Sequence, residues 1–358
     1  MKTILYVLYG GRSPEHEISL RTALTVLQSI DLSEYATYPI HIAQDGTWSS
    51  AGKLEIPPNE PEKLILQPRC ERIAASLGEV LKELLSLDGP KVVLPLLHGS
   101  NGEDGTVQGL MELLDIPYVG NGVLASAVAL DKAVCKALLA QDGIPVTEYV
   151  VFTLSDWARE STPISQRIAS EIGYPAYVKP ASLGSSIGIS RCEDEGELVL
   201  AIENAFRYDR KIVVEREVVG REIQVAVMGN DEPSASLPGE FIQDKAFFDF
   251  DAKYVDGRLK MSIPAELPAE LTERIRSLAV QAYRAVNASG LARVDFFVER
   301  DGALFVNEIN SLPGFTKFSM YPVMWERTDG TAYADLIRRL IGYAFERHDS
   351  KQTIQYMR

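Results

Sequence analysis

Residues 291–316 read LARVDFFVERDGALFVNEINSLPGFT, two apolar runs rich in β-branched and aromatic residues on either side of Asp301-Gly302. That dipeptide suits a two-residue type I′ turn, so the stretch predicts an antiparallel hairpin. With Asp301 and Gly302 as the loop, Arg300 pairs with Ala303, Asp295 falls opposite Glu308, and Arg293 falls opposite Asn310. Side chains alternate along a strand, which puts these last four on one face. Like charges directly opposite repel, and a partly buried acidic pair needs a proton or a cation between its members. Asp295, Glu308 and Asn310 are hard oxygen ligands of the kind that hold Mg²⁺ together with substrate phosphates. A solvated outer face of an amphipathic hairpin is the plainer alternative.

Around the hairpin, a chain of 358 residues is too long for one ordinary core, which implies about two or three domains. Apolar content of 46% with 24% charged residues belongs to a globular protein, and a formal charge of −14 argues against nucleic-acid or anionic-membrane binding. Cys70, Cys135 and Cys192 are scattered without metal or disulfide spacing, so reduced thiols in a cytoplasmic protein are the economical reading. The apolar run Thr3–Tyr9 enters Gly10-Gly11 and reads as a first strand rather than a signal peptide, and no run approaches a membrane span.

The first part alternates strand and helix: strands over Thr3–Tyr9, Tyr38–Ala43 and Lys91–Leu97, a helix over Glu17–Ser29, and a loop over Ser50–Pro68. Continuous apolar strands of this sort predict an open parallel α/β domain over residues 1–120. Its strand ends carry Gly10-Gly11-Arg12-Ser13-Pro14-Glu15 and His98-Gly99-Ser100-Asn101-Gly102-Glu103-Asp104-Gly105. Open α/β sheets bind ligands at such ends, although tight turns and helix caps alone would account for the glycines. Further along, helices are expected over Leu124–Gln141 and Ile164–Ile172, then a strand Tyr174–Val178 running into Lys179-Pro180. The loop Ala181–Gly188 returns to a strand at Ile189–Arg191; it is neither a Walker loop nor a Rossmann turn, yet its N–H groups and the hydroxyls of Ser185 and Ser186 can wrap phosphates. Strands at Lys211–Val218 and Ile223–Met228 follow, then the aromatic segment Asp244–Lys260, of a length and composition typical of functional loops. Helices over Pro268–Gly290 and Tyr333–Arg347 and a loose tail after His348 complete the expectation.

Lys179, the Gly184–Gly188 loop and the hairpin acids together resemble the ATP-grasp fold. With Gly10-Gly11-x-Ser13-x-Glu15-x-Glu17-x-Ser19, His98-Gly-x-x-Gly-Glu-Asp-Gly and Asn310-x-x-Pro-Gly-Phe-Thr added, the chain resembles the D-alanine–D-alanine ligases from about residue 3 to 345. The resemblance implies an N-terminal α/β substrate domain (1–120), then a two-part ATP-grasp fold: a central part (121–215) and a C-terminal part (216–358). It further implies ATP-dependent, ADP-forming joining of two D-alanines for peptidoglycan synthesis, in the cytoplasm, by a homodimer using two Mg²⁺ ions, with Mn²⁺ as a substitute.

Residue by residue, the resemblance makes Lys132 and Lys179 the nucleotide-phosphate lysines and adds Ser186 to that site. Glu215 and Glu222 correspond to the acids on the adenine amine and ribose hydroxyls, Val218 offers backbone to the adenine, Phe247 packs on the base, and Lys253 reaches the terminal phosphate. Asp295, Glu308 and Asn310 correspond to the magnesium ligands. Arg293 becomes a catalytic neighbour that stabilises the developing intermediate rather than a counter-ion. Glu15 corresponds to the residue on the first D-alanine's ammonium, with His98 nearby; Ser185 and Tyr254 tie the aromatic loop shut. Gly314, Ser319 and Met320 fall at the second-substrate site. A tyrosine at 254 resembles dipeptide-forming members, whereas D-lactate ligases carry His there. A D-alanine–D-serine ligase, or another ATP-grasp carboxylate–amine ligase, is the alternative. Read without the resemblance, Glu215 and Glu222 could be ordinary surface acids, His98 a helix cap and Phe247 core.

Overall fold

The computed structural model describes residues 2–242 and 260–355. Its first elements are β1 (Thr3–Gly10), α1 (His16–Ser29), β2 (Tyr35–Ile42), β3 (Trp48–Ser50), α2 (Ile73–Ser86), β4 (Lys91–Pro95) and α3 (Thr106–Leu113). They form a sheet in the order β3-β2-β1-β4, in which β1 runs parallel to β2 and β4, and β3 is antiparallel to β2. The unbroken apolar run of β1 follows from burial on both sides. Leu5, Val7 and Tyr9 enter one core and Ile4, Tyr6 and Leu8 another. The expected parallel α/β layout is therefore present.

Next come α4 (Val123–Leu130), α5 (Lys132–Gln141), β5 (Tyr149–Thr153), α6 (Leu154–Glu171), β6 (Ala176–Pro180), β7 (Ser190–Cys192), α7 (Glu195–Ala205) and β8 (Lys211–Arg216). The sheet is antiparallel, in the order β5-β8-β6-β7. Two expectations need correction here. The single helix over Leu124–Gln141 is two, because Asp131 takes up extended backbone and its carboxylate accepts from the N–H groups of Ala133 and Val134, capping α5. The helix expected from Ile164 begins at Leu154, where Thr153 and Asp156 form a reciprocal capping box, and it kinks at Glu160 just ahead of Pro163.

The third sheet, β10-β9-β13-β14, is built from β9 (Gly220–Gly229), β10 (Ser234–Ala235), β13 (Gly290–Glu299) and β14 (Leu304–Asn310). β11 (Glu240–Ile242) and β12 (Lys260–Ser262) pair separately. Three helices, α8 (Ala269–Ala285), α9 (Met320–Asp329) and α10 (Tyr333–Gln352), complete this part. Ala292, Val294, Phe296 and Val298 point into a core with α8, which leaves Arg293, Asp295 and Phe297 on the other face.

The hairpin forms with the predicted pairing at its functional end but by another route. Its loop has three residues, Arg300 to Gly302: the Glu299 N–H donates to the Ala303 carbonyl and the Gly302 N–H to the Glu299 carbonyl, with Gly302 at φ 89°. That extra loop residue slips the register by one, so Phe296 pairs with Val306. A bulge then leaves Asn307 unpaired and restores Asp295 opposite Glu308 and Arg293 opposite Asn310.

The tail expected to be loose after His348 is helical to Gln352 and anchored. His348 lies 3.0 Å from Asp115, the Gln352 amide donates to Asp115, and Lys351 pairs with Glu112. All three cysteines are free. Among the described residues, no helix is long and apolar enough to cross a membrane.

Candidate active site

Asp295 is 1% exposed on the open face of β13. Arg293 grips it with two hydrogen bonds of 2.7 Å, and the Asn310 amide donates a third at 3.0 Å. Burial pushes the Asp295 carboxyl up to about 6; Arg293 opposes this, while Glu308 and Glu222 add to it. Arg293 is thus a counter-ion of Asp295 in this structure, which corrects the expectation that it would not be. Glu308, opposite, lies 3.7 Å from the Lys132 ammonium. Among the described residues, no three His, Cys, Asp or Glu side chains gather to hold a metal. The hairpin instead offers two carboxylates and an amide, all hard oxygen donors, with Asp295 raised by burial and, further, by Glu308 and Glu222.

Lys132 is the first residue of α5, held there by the Asp131 cap, which also pairs with Lys211. Its N–H donates to the Ala181 carbonyl and its ammonium to the Leu183 carbonyl at 2.6 Å, docking it against the glycine–serine loop. Lys179, at the end of β6, donates to Glu215 at 2.9 Å and to Asn307 at 3.5 Å. Glu215 is 1% exposed. Burial alone would raise its carboxyl, yet Lys136 and Lys179 hold it down at about 2. Burial would lower Lys179, yet Glu215, with Glu308 and Glu222, raises it overall. Glu215 is therefore a buried, charged group and not a surface acid.

These side chains border a cleft of about 710 Å³ whose walls include Lys132, Lys179, Ser185, Ser186, Glu215, Val218, Glu222, Phe297, Asn307 and Glu308. Asn307 escaped the sequence reading because in an unbulged hairpin it would alternate away from Glu308. Phe247, Lys253 and Tyr254, with residues 244–259 of the aromatic segment, lie outside the described residues.

At the other end of the glycine–serine loop, the Ser185 hydroxyl donates to Glu15. Ser185 and Ser186 sit at φ 54° and 60°, left-handed backbone that side chains seldom adopt. Ser13 reinforces Glu15, accepting from its N–H and donating to the His98 carbonyl at 2.7 Å. His98 is buried with its Nδ1 3.6 Å from Glu103. Burial would lower the imidazole pKa, but Glu103 and Glu15 raise it overall. Glu103 was not singled out in the sequence, although it falls inside the quoted His98 motif. Asn121 joins the parts: its amide donates to the carbonyls of Leu291 and Ser311, and its oxygen accepts from Ser289. Ser319 accepts from the Thr316 N–H at 3.0 Å, and a Cβ on Gly314 would stand 3.4 Å from its hydroxyl. Met320 is 3% exposed and packs in the core shared with β1.

A cleft between two antiparallel sheets, with Lys179 and the glycine–serine loop from one, Lys132 from the start of α5 and an acidic hairpin from the other, defines the class: an ATP-grasp fold. Residues 4–121 match the family described as D-ala D-ala ligase N-terminus, and residues 138–342 the one described as D-ala D-ala ligase C-terminus. The D-alanine–D-alanine ligase of Geobacillus kaustophilus is 48% identical over 361 residues, covering 99% of this chain and 98% of that protein. That of Geobacillus thermodenitrificans is 47% identical, covering 99% of each. Among solved structures, the D-alanine–D-alanine ligase from Coxiella burnetii superposes with a TM-score of 0.80 at 35% identity, covering 98% of this chain and 96% of that one. The VanG D-Ala:D-Ser ligase from Enterococcus faecalis gives 0.80 at 32% identity, covering 96% and 100%. This chain belongs to the D-alanine–D-alanine ligase family, a family of ATP-dependent ligases.

Proposed function

We propose that the enzyme joins two D-alanines, using ATP and releasing ADP and phosphate, and so supplies a peptidoglycan precursor in the cytoplasm. A carboxylate is a poor electrophile. Its oxygen therefore first takes the terminal phosphoryl group of ATP, expelling ADP; the amine of the second D-alanine then attacks the acyl carbon, phosphate leaves, and the amine loses a proton. The observation that carries this reading is the glycine–serine loop. It borders the lysine cleft and, through Ser185, reaches Glu15 at the N-terminal sheet.

In this reading Glu15 binds the first ammonium, and His98 with Glu103 lies beside it. Lys132, Lys179 and Ser186 take the nucleotide phosphates, joined by Lys253; charges placed in advance stabilise phosphoryl transfer without proton chemistry. Glu215, Val218, Glu222 and Phe247 bind adenosine. Asp295, Glu308 and Asn310 would hold two Mg²⁺ ions, or Mn²⁺, which would neutralise phosphate charge. Arg293 fixes Asp295 and stabilises the oxyanion of the tetrahedral adduct. Gly314 and Ser319 receive the second D-alanine above Met320, while Tyr254 and Ser185 close the site against water. Units 1–120, 121–215 and 216–358 would act as substrate domain and two ATP-grasp halves, in a homodimer.

D-serine as second substrate is the alternative that the likeness to the VanG ligase favours. The relatives named for D-alanine are the more similar in sequence. Product analysis with D-alanine alone and with D-serine, D-lactate or L-alanine added decides between them. D-alanyl-D-alanine should dominate the mixture with D-serine, and a dominant D-alanyl-D-serine product overturns the preference.

A further inference from the structure

We propose that Lys136 and Thr147 are positioning residues for nucleotide-base selection: they hold Glu215 as an acceptor-only carboxylate at the cleft, so that a base with an exocyclic amine is preferred to one with a carbonyl there. The inference rests on the reading that Glu215 faces the adenine amine.

Lys136 lies one turn beyond Lys132 on the same side of α5. It is 1% exposed, and the cleft's walls include Lys132, Lys179 and Glu215 but not Lys136. Its ammonium donates to the Thr147 hydroxyl at 2.9 Å and stands 3.5 Å from Glu215 Oε1, 5.9 Å from the centre of the Tyr149 ring. The Thr147 hydroxyl passes its own hydrogen to Glu215 Oε2 at 3.3 Å. Thr147 is 1% exposed, in the segment that leads into β5.

Glu215 thus faces two buried lysines, Lys136 and Lys179. Lys179 pairs with Glu215 but also faces Glu308 and Glu222, and burying a further ammonium carries its own desolvation cost. Burial indeed pushes the Lys136 pKa down even beside Glu215. The second ammonium makes protonation of Glu215 unfavourable, while Thr147 fixes one oxygen. Among the described residues, the buried Glu215 Oε1 has no hydrogen-bond partner. An ionised carboxylate can only accept. Adenine offers an amine donor at its 6-position, matching that acceptor, whereas a 6-oxo purine offers an acceptor there and meets the carboxylate with a clash of like polarity. Without Lys136, a carboxyl that took up a proton could donate to a 6-oxo group, and one that turned would no longer meet the amine, so the distinction would weaken.

The test is steady-state kinetics of the full-length enzyme with ATP and with inosine triphosphate at saturating D-alanine. Lys136→Met and Thr147→Val should each lower the ratio of kcat/KM for ATP to that for inosine triphosphate by about tenfold, the worth of one charge-assisted hydrogen bond. The change should fall mainly in KM for ATP, and Thr147→Ser should keep the wild-type ratio. Glu215→Gln separates the two layers of the argument. If it moves the ratio while Lys136→Met and Thr147→Val stay within twofold of wild type, the positioning role is overturned. If Glu215→Gln also leaves the ratio unchanged, the base-facing reading falls and takes the proposal with it. Should Lys136→Met fail to fold, Thr147→Val decides by the same criterion.

Discussion

Ser185, in left-handed backbone on the glycine–serine loop, donates its hydroxyl hydrogen to Glu15, 170 residues earlier in the chain. One hydrogen bond thus joins the loop that borders the lysine cleft to the strand-end motif of the N-terminal sheet. Ser185→Ala removes it while leaving every buried core residue in place. The KM for D-alanine should rise about tenfold, the usual scale for a lost hydrogen bond to a charged group. Initial rates against D-alanine check this, and an unchanged KM would separate Ser185 from the substrate end.

Glu308 faces Lys132 across the cleft and is only partly buried, its side chain 31% exposed. Glu308→Gln should therefore fold normally yet lose turnover by about 100-fold or more, since even outer partners of a metal ligand are worth 10–100-fold. Phosphate release measured across a Mg²⁺ titration is the check. Full activity would remove Glu308 from the ligand set.

Asp131 caps α5 and pairs with Lys211, and Lys132 is the next residue. Asp131→Ala should cost about 1–2 kcal/mol of stability and raise KM for ATP, whereas Asp131→Asn keeps the cap and most of the stability. Urea unfolding of both variants tests the cap, and equal losses would show that the ion pair matters more.

Glu215 is an acid whose folded pKa, about 2, lies below the ordinary 4.5. A depressed carboxylate contributes stability that is fully present above pH 4.5 and is lost as pH falls through 2. The shift corresponds to an order of about 3 kcal/mol. Glu215→Gln should accordingly be destabilised at pH 7, with the gap to wild type narrowing as acid is added from pH 4.5 downward. Urea midpoints at successive pH values measure it, and a constant gap would contradict the electrostatic account.

The hairpin shows what the residue pattern could and could not disclose. Asp295 opposite Glu308 followed from counting back from Asp301-Gly302, yet the count works only because a three-residue turn and a bulge at Asn307 cancel. Alternation cannot reveal such a pair of irregularities, and Asn307 was missed for that reason. Turn residues and continuous apolar runs did disclose the N-terminal parallel sheet and the strand–loop–strand around Gly184–Gly188. Asp131 reads as an ordinary polar residue inside an apolar helix until its capping bonds are seen. Lys136 is harder still: a lysine on a helix reads as solvated, and only the approach of Glu215 from strand β8, 79 positions later, explains its burial. Six separate motifs in order carried the family; single residues such as Glu215 and Glu222 would not have done so.

The central claim is that phosphoryl transfer at the lysine cleft serves the substrate held at the Glu15 end. Coupled ADP release measured with and without D-alanine tests it most directly. ADP should appear only when D-alanine is present, one per dipeptide formed, and both should form about 100-fold or more slowly in Glu308→Gln. ADP release at the same rate without D-alanine would contradict the account.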